Sequence, residues 1–514
     1  MKPMILAINI VLMILFPSRQ DDVPDYIFPS AFEKIQIVRA IPGEGSLLLG
    51  EVLPDTNRLA KKIKKELNLP FHRSVIKLNQ CSRNLIGNDQ GPNVLYLSEN
   101  QGGFPRKGLI LTNGRDTVTY KDLHYVDLVI DENGLAQGGL SIFSHELGHV
   151  MMNNIWPGYR NESENRRSFK QHVSMGITDY YTALYEGWGI HLERFVYEID
   201  HYRGLFDQKY DYDRITGTLW HSRMDQALRA HATLTNDYIF RKFIPMKADQ
   251  TMMSVEELIL ADHTSPFFDR TWLKNAQEML SCEGVLATLF YKMNSNPNLQ
   301  KNYGDRSFYN HFLITPLSED VDPKTIFTPF ENIYLKHFWI WSRLQANGLN
   351  GVPPLIAYLQ EWIRSFPQDL NELVKLFISV TVGRTLGNEL GDVYEQMAMY
   401  GMLGDYRKFK EYSNYYFQLY KDLLNRYYNG EIEIDQNIGP ELWVSNPNVQ
   451  IRTTLWSEQN KKALCINLNT AGPYDLAAYS NISVSQAQEI ITKRDSLGYF
   501  ESKKQAEKYG IILN

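Results

Sequence analysis

Hydrophobic and polar positions alternate along this chain in two different ways. From about residue 22 to 135, short runs rich in Val, Ile and Leu lie between turn-forming Asn, Asp and Gly residues, as in SVIKLNQ, NVLYLS, KGLILTNGRD and YVDLVIDENG. Such runs bounded by turn signals indicate strands. We therefore expect a small mixed sheet in this region, with one helix near Asn57 to Leu67.

The pattern changes at about residue 138. From there to about 428, apolar residues recur at three-and-four spacing, as in DYYTALYEGWGIHLERFVYEI, ELVKLFISVTVGRTL and YRKFKEYSNYYFQLYKDLLNRYY. This spacing is typical of amphipathic and buried helices. The sequence thus predicts an α+β fold that is predominantly α, with a sheet-containing part at 21–137, a helical part at 138–430, a linker at 431–462 and a small helical module at 463–514.

The first twenty residues have the pattern of a leader. Lys2 precedes an apolar run from Met4 to Phe16, which is too short to span a bilayer but suits the core of a signal peptide. We expect residues 1–20 to be a signal peptide or an uncleaved anchor, and the protein to be exported to a periplasmic or extracellular location. Any membrane contact would then be made by this segment alone.

Composition narrows the class of protein. The chain has 514 residues, of which 43% are hydrophobic and 22% charged, so it has ample material for a globular core. Its net charge of −6 gives no electrostatic reason to expect nucleic acid or an anionic membrane surface as a main partner. Cys81, Cys282 and Cys465 lie far apart, so they form at most one disulfide and no cysteine zinc site.

The candidate chemistry lies in residues 145 to 149, His145-Glu146-Leu147-Gly148-His149. On a helix, positions i and i+4 share a face, so both imidazoles can bind one metal ion. Glu146 is offset from that face and can reach a water on the ion, as a general base does. The neighbouring residues are mostly apolar, so the helix should be buried. The other interpretation of the pattern is a buried helix whose histidines bond to nearby polar groups.

A hydrolytic zinc site uses three protein ligands and one open position. The third candidate is Glu186, on a predicted helix that Thr178 can cap. Gly187 and Gly189 cost a helix about 1 kcal/mol each relative to alanine. Close approach of two helix backbones, which lets Glu186 reach an ion held by the first helix, would explain both glycines.

Four other side chains compete for a role near this metal. His172 lies in a polar stretch and His191 is off the face of Glu186, so both are weaker ligand candidates. Asp179 and Glu193 each lie seven residues from Glu186 and share its face. We expect these two acids to steady a histidine ligand. The expected cofactor is one Zn²⁺ per chain, bound by His145, His149 and Glu186.

HELGH followed by a helix with EGWG resembles the gluzincin group of zinc metallopeptidases, over roughly residues 120 to 198. The resemblance implies a zincin-like catalytic core, hydrolysis of a peptide or protein substrate, and Glu146 as the base. It also implies that the substrate lies along an edge strand, either YVDLVID or GLILTNG. Ile190 stands where the thermolysin-like branch has an aspartate, and the aminopeptidase Gly-x-Met-Glu-Asn loop is missing, so the branch stays open.

A side chain that stabilises the oxyanion would complete such a site. The sequence offers several candidates and does not choose among them: His221, Arg223, Tyr303, His311, His337 and Tyr394.

Residues 465 to 511 look like the helix-hairpin-helix module of competence proteins, through Ile466-Asn467-Leu468-Asn469-Thr470-Ala471 and Gly498-Tyr499-Phe500 among others. Such modules bind duplex DNA through a glycine hairpin. Here Tyr479-Ser480-Asn481-Ile482-Ser483 replaces the expected Leu-Pro-Gly-Ile-Gly. Loss of the glycines hinders close backbone approach to phosphate, so we expect a packing or protein-contact role and no nucleic-acid partner.

Three functions remain open at this point. The first is an exported zinc-dependent metallopeptidase that uses a metal-activated water and a glutamate base. The second is a DNA-binding or competence-type protein that acts through its C-terminal module. The third is a catalytically inactive scaffold that keeps the zincin shape.

Overall fold

A computed structural model describes residues 26–27, 35–43, 45–87, 91–100, 102–114, 116–136, 139–159, 177–200, 241–243, 268–452 and 461–513. The expected leader, residues 1–20, lies outside these ranges, as does His172. Within them, no helix is both long and apolar enough to cross a membrane. The same ranges include all three cysteines, and no disulfide joins them.

The N-terminal strands close into a five-stranded barrel. Its strands are β1 (Gln36–Ile41), β2 (Leu48–Val52), β3 (Val94–Leu97), β4 (Phe104–Asn113) and β5 (Asp116–Leu128), in the order β1-β2-β4-β5-β3. The β1–β2 and β4–β5 pairs are antiparallel, and the other three pairs are parallel. The prediction of a mixed sheet is therefore confirmed, but the sheet is closed rather than open.

Closure contradicts the expectation that YVDLVID or GLILTNG offers a free edge to a substrate. In β5, Val126 and Asp127 pair with β4 on one side and with β3 on the other. In β4, Leu109 to Thr112 pair with both β2 and β5. The backbone N–H and C=O groups of these segments are already used inside the barrel, so neither can pair with a peptide strand.

Two helices follow β2. Helix α1 (Arg58–Leu67) begins after Asn57, whose side chain accepts a hydrogen bond from the Ala60 N–H, so the predicted helix is confirmed. Helix α2 (Pro70–Leu85) contains SVIKLNQ, which we had predicted to be a strand, and that prediction is wrong. Residues 74–83 of α2 are all buried, so no polar face revealed the helical period, and Pro70 at its first turn was the missed start signal.

The helical part follows the barrel, as predicted. It begins with α3 (Glu132–Ala136), α4 (Ser141–Ile155) and α5 (Tyr180–Ile199), followed by the short strands β6 (Arg241–Phe243) and β7 (Phe268–Leu273). The remaining helices are α6 (Ala276–Leu280), α7 (Glu283–Ser295), α8 (Pro297–Lys301), α9 (Arg306–Asn310), α10 (Pro323–Ile326), α11 (Pro329–Asn347), α12 (Pro354–Ser365), α13 (Leu370–Val380), α14 (Glu389–Met402) and α15 (Tyr406–Tyr428). The described residues thus form a mixed α+β fold in which helix predominates.

Helix α11 lies at the centre of this helical part and carries two buried ion pairs. Lys77 of α2 contacts Glu331 at 2.7 Å, and Lys336 contacts Asp369 at 2.8 Å. A single core of buried apolar side chains extends from Ile27 to Ile434 and includes α2, α4, α5, α7, α11 and α12. The metal-candidate helices α4 and α5 are therefore held inside the main core.

The C-terminal module has its own core, which begins earlier than predicted. Strands β8 (Trp443–Arg452) and β9 (Lys461–Asn467) pair antiparallel, and helices α16 (Pro473–Ser480), α17 (Val484–Leu497) and α18 (Lys503–Lys508) pack on them. Ile432 and Ile434 belong to the main core, whereas Leu442 belongs to the module. Much of the expected linker at 431–462 is thus ordered structure, and the boundary between the two cores falls at about 435–441.

The turn between α16 and α17 keeps a hairpin shape without glycine. Asn481 adopts the left-handed conformation at φ 52° and ψ 46°, and it ends α16. Asparagine is the residue other than glycine that most readily takes this conformation. Ser483 then caps α17 by accepting a hydrogen bond from the Gln486 N–H. The turn therefore forms without a glycine at these positions.

A buried arginine joins the module to the helical part. The Arg494 side chain, on α17, is 1% exposed and donates to Glu278 Oε1 on α6 at 2.8 Å. The same guanidinium donates to the carbonyl oxygens of Leu468 and Ala471 and to the Asp495 carboxylate. Because Arg494 is used in this way, it is not presented to an outside phosphate.

We expect Arg494→Met to lower the free energy of unfolding by about 3–5 kcal/mol, because it leaves the Glu278 carboxylate buried without its cation. Denaturant unfolding of the full chain would measure this loss. Lys493→Met is the matched control, since Lys493 is the exposed preceding residue of the same helix. Equal effects of the two substitutions would show that the buried pair does not hold the module in place.

Candidate metal centre

Helix α4 carries the two histidines into the core. Its residues from Phe143 to Met152 are all buried, because the helix packs between the barrel and α2 on one side and α5 on the other. His145 and His149 lie one turn apart, and their Nε2 atoms are 2.9 Å from each other. Both imidazoles therefore point at one place, as the spacing predicts.

Helix α5 brings the carboxylate to the same place. Glu186 Oε2 lies 3.5 Å from His145 Nε2 and 3.3 Å from His149 Nε2. The helix begins after Asp179, whose carboxylate accepts hydrogen bonds from the N–H groups of Tyr181 and Thr182. The cap is thus Asp179 and not Thr178, which corrects the predicted helix start by one residue.

Three glycines allow helices to pack closely around the centre, two of them between α4 and α5 and one between α5 and α7. A Cβ atom at Gly189 would lie 2.7 Å from His145 Nε2, and one at Gly148 would lie 2.5 Å from a methyl carbon of Leu192. Any larger residue at these two positions would separate α4 from α5. Gly187 serves a different contact, because a Cβ there would meet Leu286 and the Glu283 carbonyl of α7. Close approach was predicted for both α5 glycines, but the third helix was not foreseen.

Two further contacts orient the imidazoles. His145 Nδ1 lies 2.6 Å from Glu193 Oε1, and this contact orients the ring so that Nε2 faces Glu186. The ring of Tyr185 stacks on the His149 imidazole with centroids 3.9 Å apart and planes 6° apart. The contact of Glu193 with a histidine is the one that the sequence predicts. Tyr185 was missed because an aromatic residue on a buried helix carries no distinctive signal.

The electrostatics of the centre favour a cation. Glu146, Glu186 and Glu193 are each less than 10% exposed. Glu146 follows His145 in the chain, and Glu186 and Glu193 contact the His145 ring. Burial opposes protonation of His145, but hydrogen bonds to Glu186 and Glu193 outweigh it and raise the pKa of this imidazole to about 10. Three carboxylates against two imidazoles leave an excess of negative charge in a buried space, which a divalent cation would offset.

The donor set fits zinc in type and spacing. His145, His149 and Glu186 form a group whose ligand atoms all lie within 4.8 Å of one another. A tetrahedral zinc ion with bonds of about 2.05 Å separates its ligands by about 3.3 Å. The observed separations of 2.9, 3.3 and 3.5 Å are close to that value. The same three residues could therefore hold a divalent metal with little movement.

The remaining candidates from the sequence have other surroundings. The Asp179 carboxylate caps α5, as described, and also accepts from the Thr182 hydroxyl at 2.8 Å. His191 is fully buried with Nε2 2.9 Å from the Tyr334 hydroxyl, and burial lowers its pKa to about 3, so it is a neutral core histidine. Glu146 lies on α4 directly after His145 and is 6% exposed.

The possible oxyanion-stabilising residues do not converge on one answer. His221 and Arg223 lie outside the described residues. The Tyr303 hydroxyl donates to the Phe327 carbonyl, His337 lies between Tyr358 and Asn294, and His311 packs on Trp339. These contacts suit core and surface packing.

Comparisons with protein-family models, with curated proteins and with solved structures give no match to this chain.

We expect Gly189→Ala to lower the free energy of unfolding by about 1–3 kcal/mol, because the added methyl group collides with the His145 imidazole. Helix propensity alone would favour alanine by about 1 kcal/mol, so the sign of the change separates the two effects. Gly401→Ala on α14 is the control, since a Cβ there meets only the edge of Phe409 at 3.3 Å or more. If Gly189→Ala stabilised the protein as much as Gly401→Ala, the close contact would be refuted.

Proposed function

We propose that this chain is an exported zinc-dependent metallopeptidase with a zincin-type catalytic core of the gluzincin kind. The observation that carries the proposal is the convergence of two imidazole nitrogens and one carboxylate oxygen, from two neighbouring helices, within 3.5 Å of one another. The hydrogen bond from His145 to Glu193 supports it, because ligand histidines commonly donate their other N–H to a carboxylate.

The surroundings of the centre support metal binding over ordinary core packing. A buried histidine in a core finds one polar partner and stays neutral, as His191 does with Tyr334. His145 instead faces a second imidazole and two carboxylates. Such a group is costly to bury without a cation, and Gly148 and Gly189 must both lack a side chain to bring it together.

His145, His149 and Glu186 would hold the zinc. Bound there, zinc supplies a coordinated water whose pKa is lowered towards about 7 and polarises the scissile carbonyl. Glu146 accepts the proton of the attacking water and delivers it to the leaving amine, which is the role of a general base and then a general acid. Glu193 holds the His145 ring in the tautomer that presents Nε2, and Tyr185 fixes the plane of His149.

The export of the protein is part of the proposal and depends on the leader at residues 1–20. Loss of a metal ligand or of the base would favour the third function, a catalytically inactive scaffold. His145, Glu146, His149 and Glu186 are all present, so this function gains no such support. The second, DNA binding by the module, gains no support from Arg494, which is used inside the molecule.

Purified protein should contain about one zinc ion per chain. We expect His145→Ala to lose the metal and Glu186→Ala to weaken zinc affinity by 10-fold or more, on the order expected for removing one of three ligands. Metal analysis and competition with a chelator would measure both. His311→Ala, at an exposed histidine, should keep its zinc. Full zinc content in His145→Ala would place the metal elsewhere.

Glu146→Gln should keep the zinc and lower kcat for peptide cleavage by about 10²–10⁴-fold, because the amide cannot accept the proton of the water. A peptide library incubated with the zinc-loaded chain identifies a cleavable sequence, and single-turnover kinetics then compare the variants. Glu99→Gln, at an exposed loop position, is the control. Unchanged turnover in Glu146→Gln would remove the assigned base, and no cleavage by the unsubstituted chain would remove the peptidase.

A further inference from the structure

A cavity of about 670 Å³ lies at the end of the two ligand-bearing helices. Trp156, which ends α4, and Tyr180 and Tyr181, which begin α5, line one side of it. The loop from Gly348 to Pro354, between α11 and α12, and the segment from Asp435 to Glu441 line the rest. The volume is within the range of sites that bind small molecules or side chains.

The cavity is close to the candidate metal centre. Helices α4 and α5 run antiparallel, since His145 meets Glu193 and Asn153 meets Tyr185. At a rise of 1.5 Å per residue, Tyr181 is about 8 Å along α5 from Glu186, and Trp156 is about 10 Å along α4 from His149. An extended peptide advances about 3.3 Å per residue. These separations match the length of about three residues of an extended peptide.

Aromatic rings connect the cavity to the ligand His149. Tyr185 stacks on His149, and Tyr159 lies 6.3 Å from Tyr185 and 5.5 Å from Tyr181, measured between ring centroids. Trp156 also packs on Tyr159, at 4.9 Å. The wall shared by the two sites is thus made of stiff, interlocked side chains, which keeps their separation constant.

The described part of the lining carries charge of one sign. Among the described residues that line the cavity, Asp435 and Glu441 are ionisable besides the tyrosines, and none is a Lys, Arg or His. Aromatic faces beside carboxylates attract a cation through both the ring quadrupole and Coulomb attraction. An anionic or purely apolar ligand would gain nothing from the carboxylates.

Tyr180 is a second and independent sign of a ligand. Its side chain is 3% exposed, lines the cavity, and its hydroxyl has no hydrogen-bond partner among the described residues. A buried hydroxyl without a partner costs free energy, and such groups are rare unless a ligand or water satisfies them. Burial and the charge of Glu441 raise the pKa of Tyr180, so the hydroxyl stays protonated.

The other two walls are shaped by unusual backbone and by the C-terminal module. Asn350, between the left-handed Gly348 and Gly351, itself has φ 51°. On the acidic wall, the Pro440 carbonyl accepts from Asn469, and Gly439 touches Tyr499 so closely that an added Cβ would lie 2.4 Å from its ring. The module therefore supports the wall that carries Asp435 and Glu441.

We propose that this cavity binds a cationic side chain, arginine or lysine, of a peptide. The inference rests on the proposed peptidase function for its biological meaning, because it makes the cavity a subsite that selects a basic residue about three positions from the cleaved bond. Binding itself requires only the cavity: the guanidinium or ammonium group would lie in it beside the aromatic residues Trp156 and Tyr181 and the carboxylates of Asp435 and Glu441.

Direct binding tests the cavity without catalysis. We expect the zinc-loaded full chain to bind N-acetylarginine amide about 10-fold more tightly than the neutral N-acetylcitrulline amide, in a ligand-observed NMR titration. The double variant Asp435→Asn/Glu441→Gln should bring the two affinities within about two-fold. Glu411→Gln/Asp422→Asn is the matched control, because it makes the same charge change at exposed positions of α15 outside the cavity.

Equal affinity for the two amides in the unsubstituted chain, or discrimination that survives in the cavity double variant, would overturn the proposal. Denaturant unfolding checks that the double variant is folded. Should it fail to fold, Tyr180→Phe provides the test, since it removes only the buried hydroxyl and should weaken arginine amide binding while the control double variant does not.

Peptide cleavage separates this inference from the proposed function. With a cleavable peptide, arginine placed two to four positions from the cleaved bond should raise kcat/KM about 10-fold over citrulline, and the cavity double variant should lose that preference while keeping its zinc. A chain that binds arginine amide selectively but cleaves no peptide would keep the cavity and lose the peptidase. Cleavage with no preference for arginine at any of these positions would keep the peptidase and refute the cavity as a subsite for a basic residue.

Discussion

The close approach of helices α4 and α5 is the constraint on which the rest of the structure depends. Without side chains at Gly148 and Gly189, the backbones come near enough for Glu186 to reach the two histidines of the neighbouring helix. A glycine in a helix costs stability, and two lie in one stretch of α5. These glycines lie where the imidazoles and carboxylates meet, and extensive apolar packing around both helices offsets their loss of stability.

Burial then decides the chemistry of the centre. The same carboxylates that would be ordinary solvated groups on a surface become strongly interacting when they are less than 10% exposed. They raise the pKa of His145, whereas burial without a nearby carboxylate contact lowers the pKa of His191, whose Nε2 lies against the Tyr334 hydroxyl. Two histidines in one region of the core thus have pKa values shifted in opposite directions, because His145 contacts carboxylates and His191 does not.

The barrel and the C-terminal module position the surroundings of the centre. Closure of the barrel uses the backbone hydrogen bonds of the strands that precede α4, so these strands offer no free edge near the centre. In the C-terminal module, Asn481 forms the turn between α16 and α17, Arg494 is directed inward to Glu278, and Asn469 and Tyr499 support the segment that forms the acidic wall of the cavity. Buried contacts therefore join the module to the helical part.

The sequence alone determined the elements whose signals are local. The HELGH spacing predicts two facing imidazoles on one helix, and the glycines after Glu186 predict a close helix contact, because both follow from the helical period and from the missing Cβ. The seven-residue spacing from Glu186 predicted a histidine contact for both Asp179 and Glu193; Glu193 contacts His145, whereas the Asp179 carboxylate caps α5. The tertiary structure alone decided three other features. SVIKLNQ lies in a helix that is buried on all sides, so its period left no separate polar face. The sheet closes because β3 pairs with both β1 and β5, and the acidic aromatic cavity forms where residues near 156, 180, 350 and 440 meet. Contacts between residues far apart in the chain leave no periodic pattern, so only the folded structure reveals them.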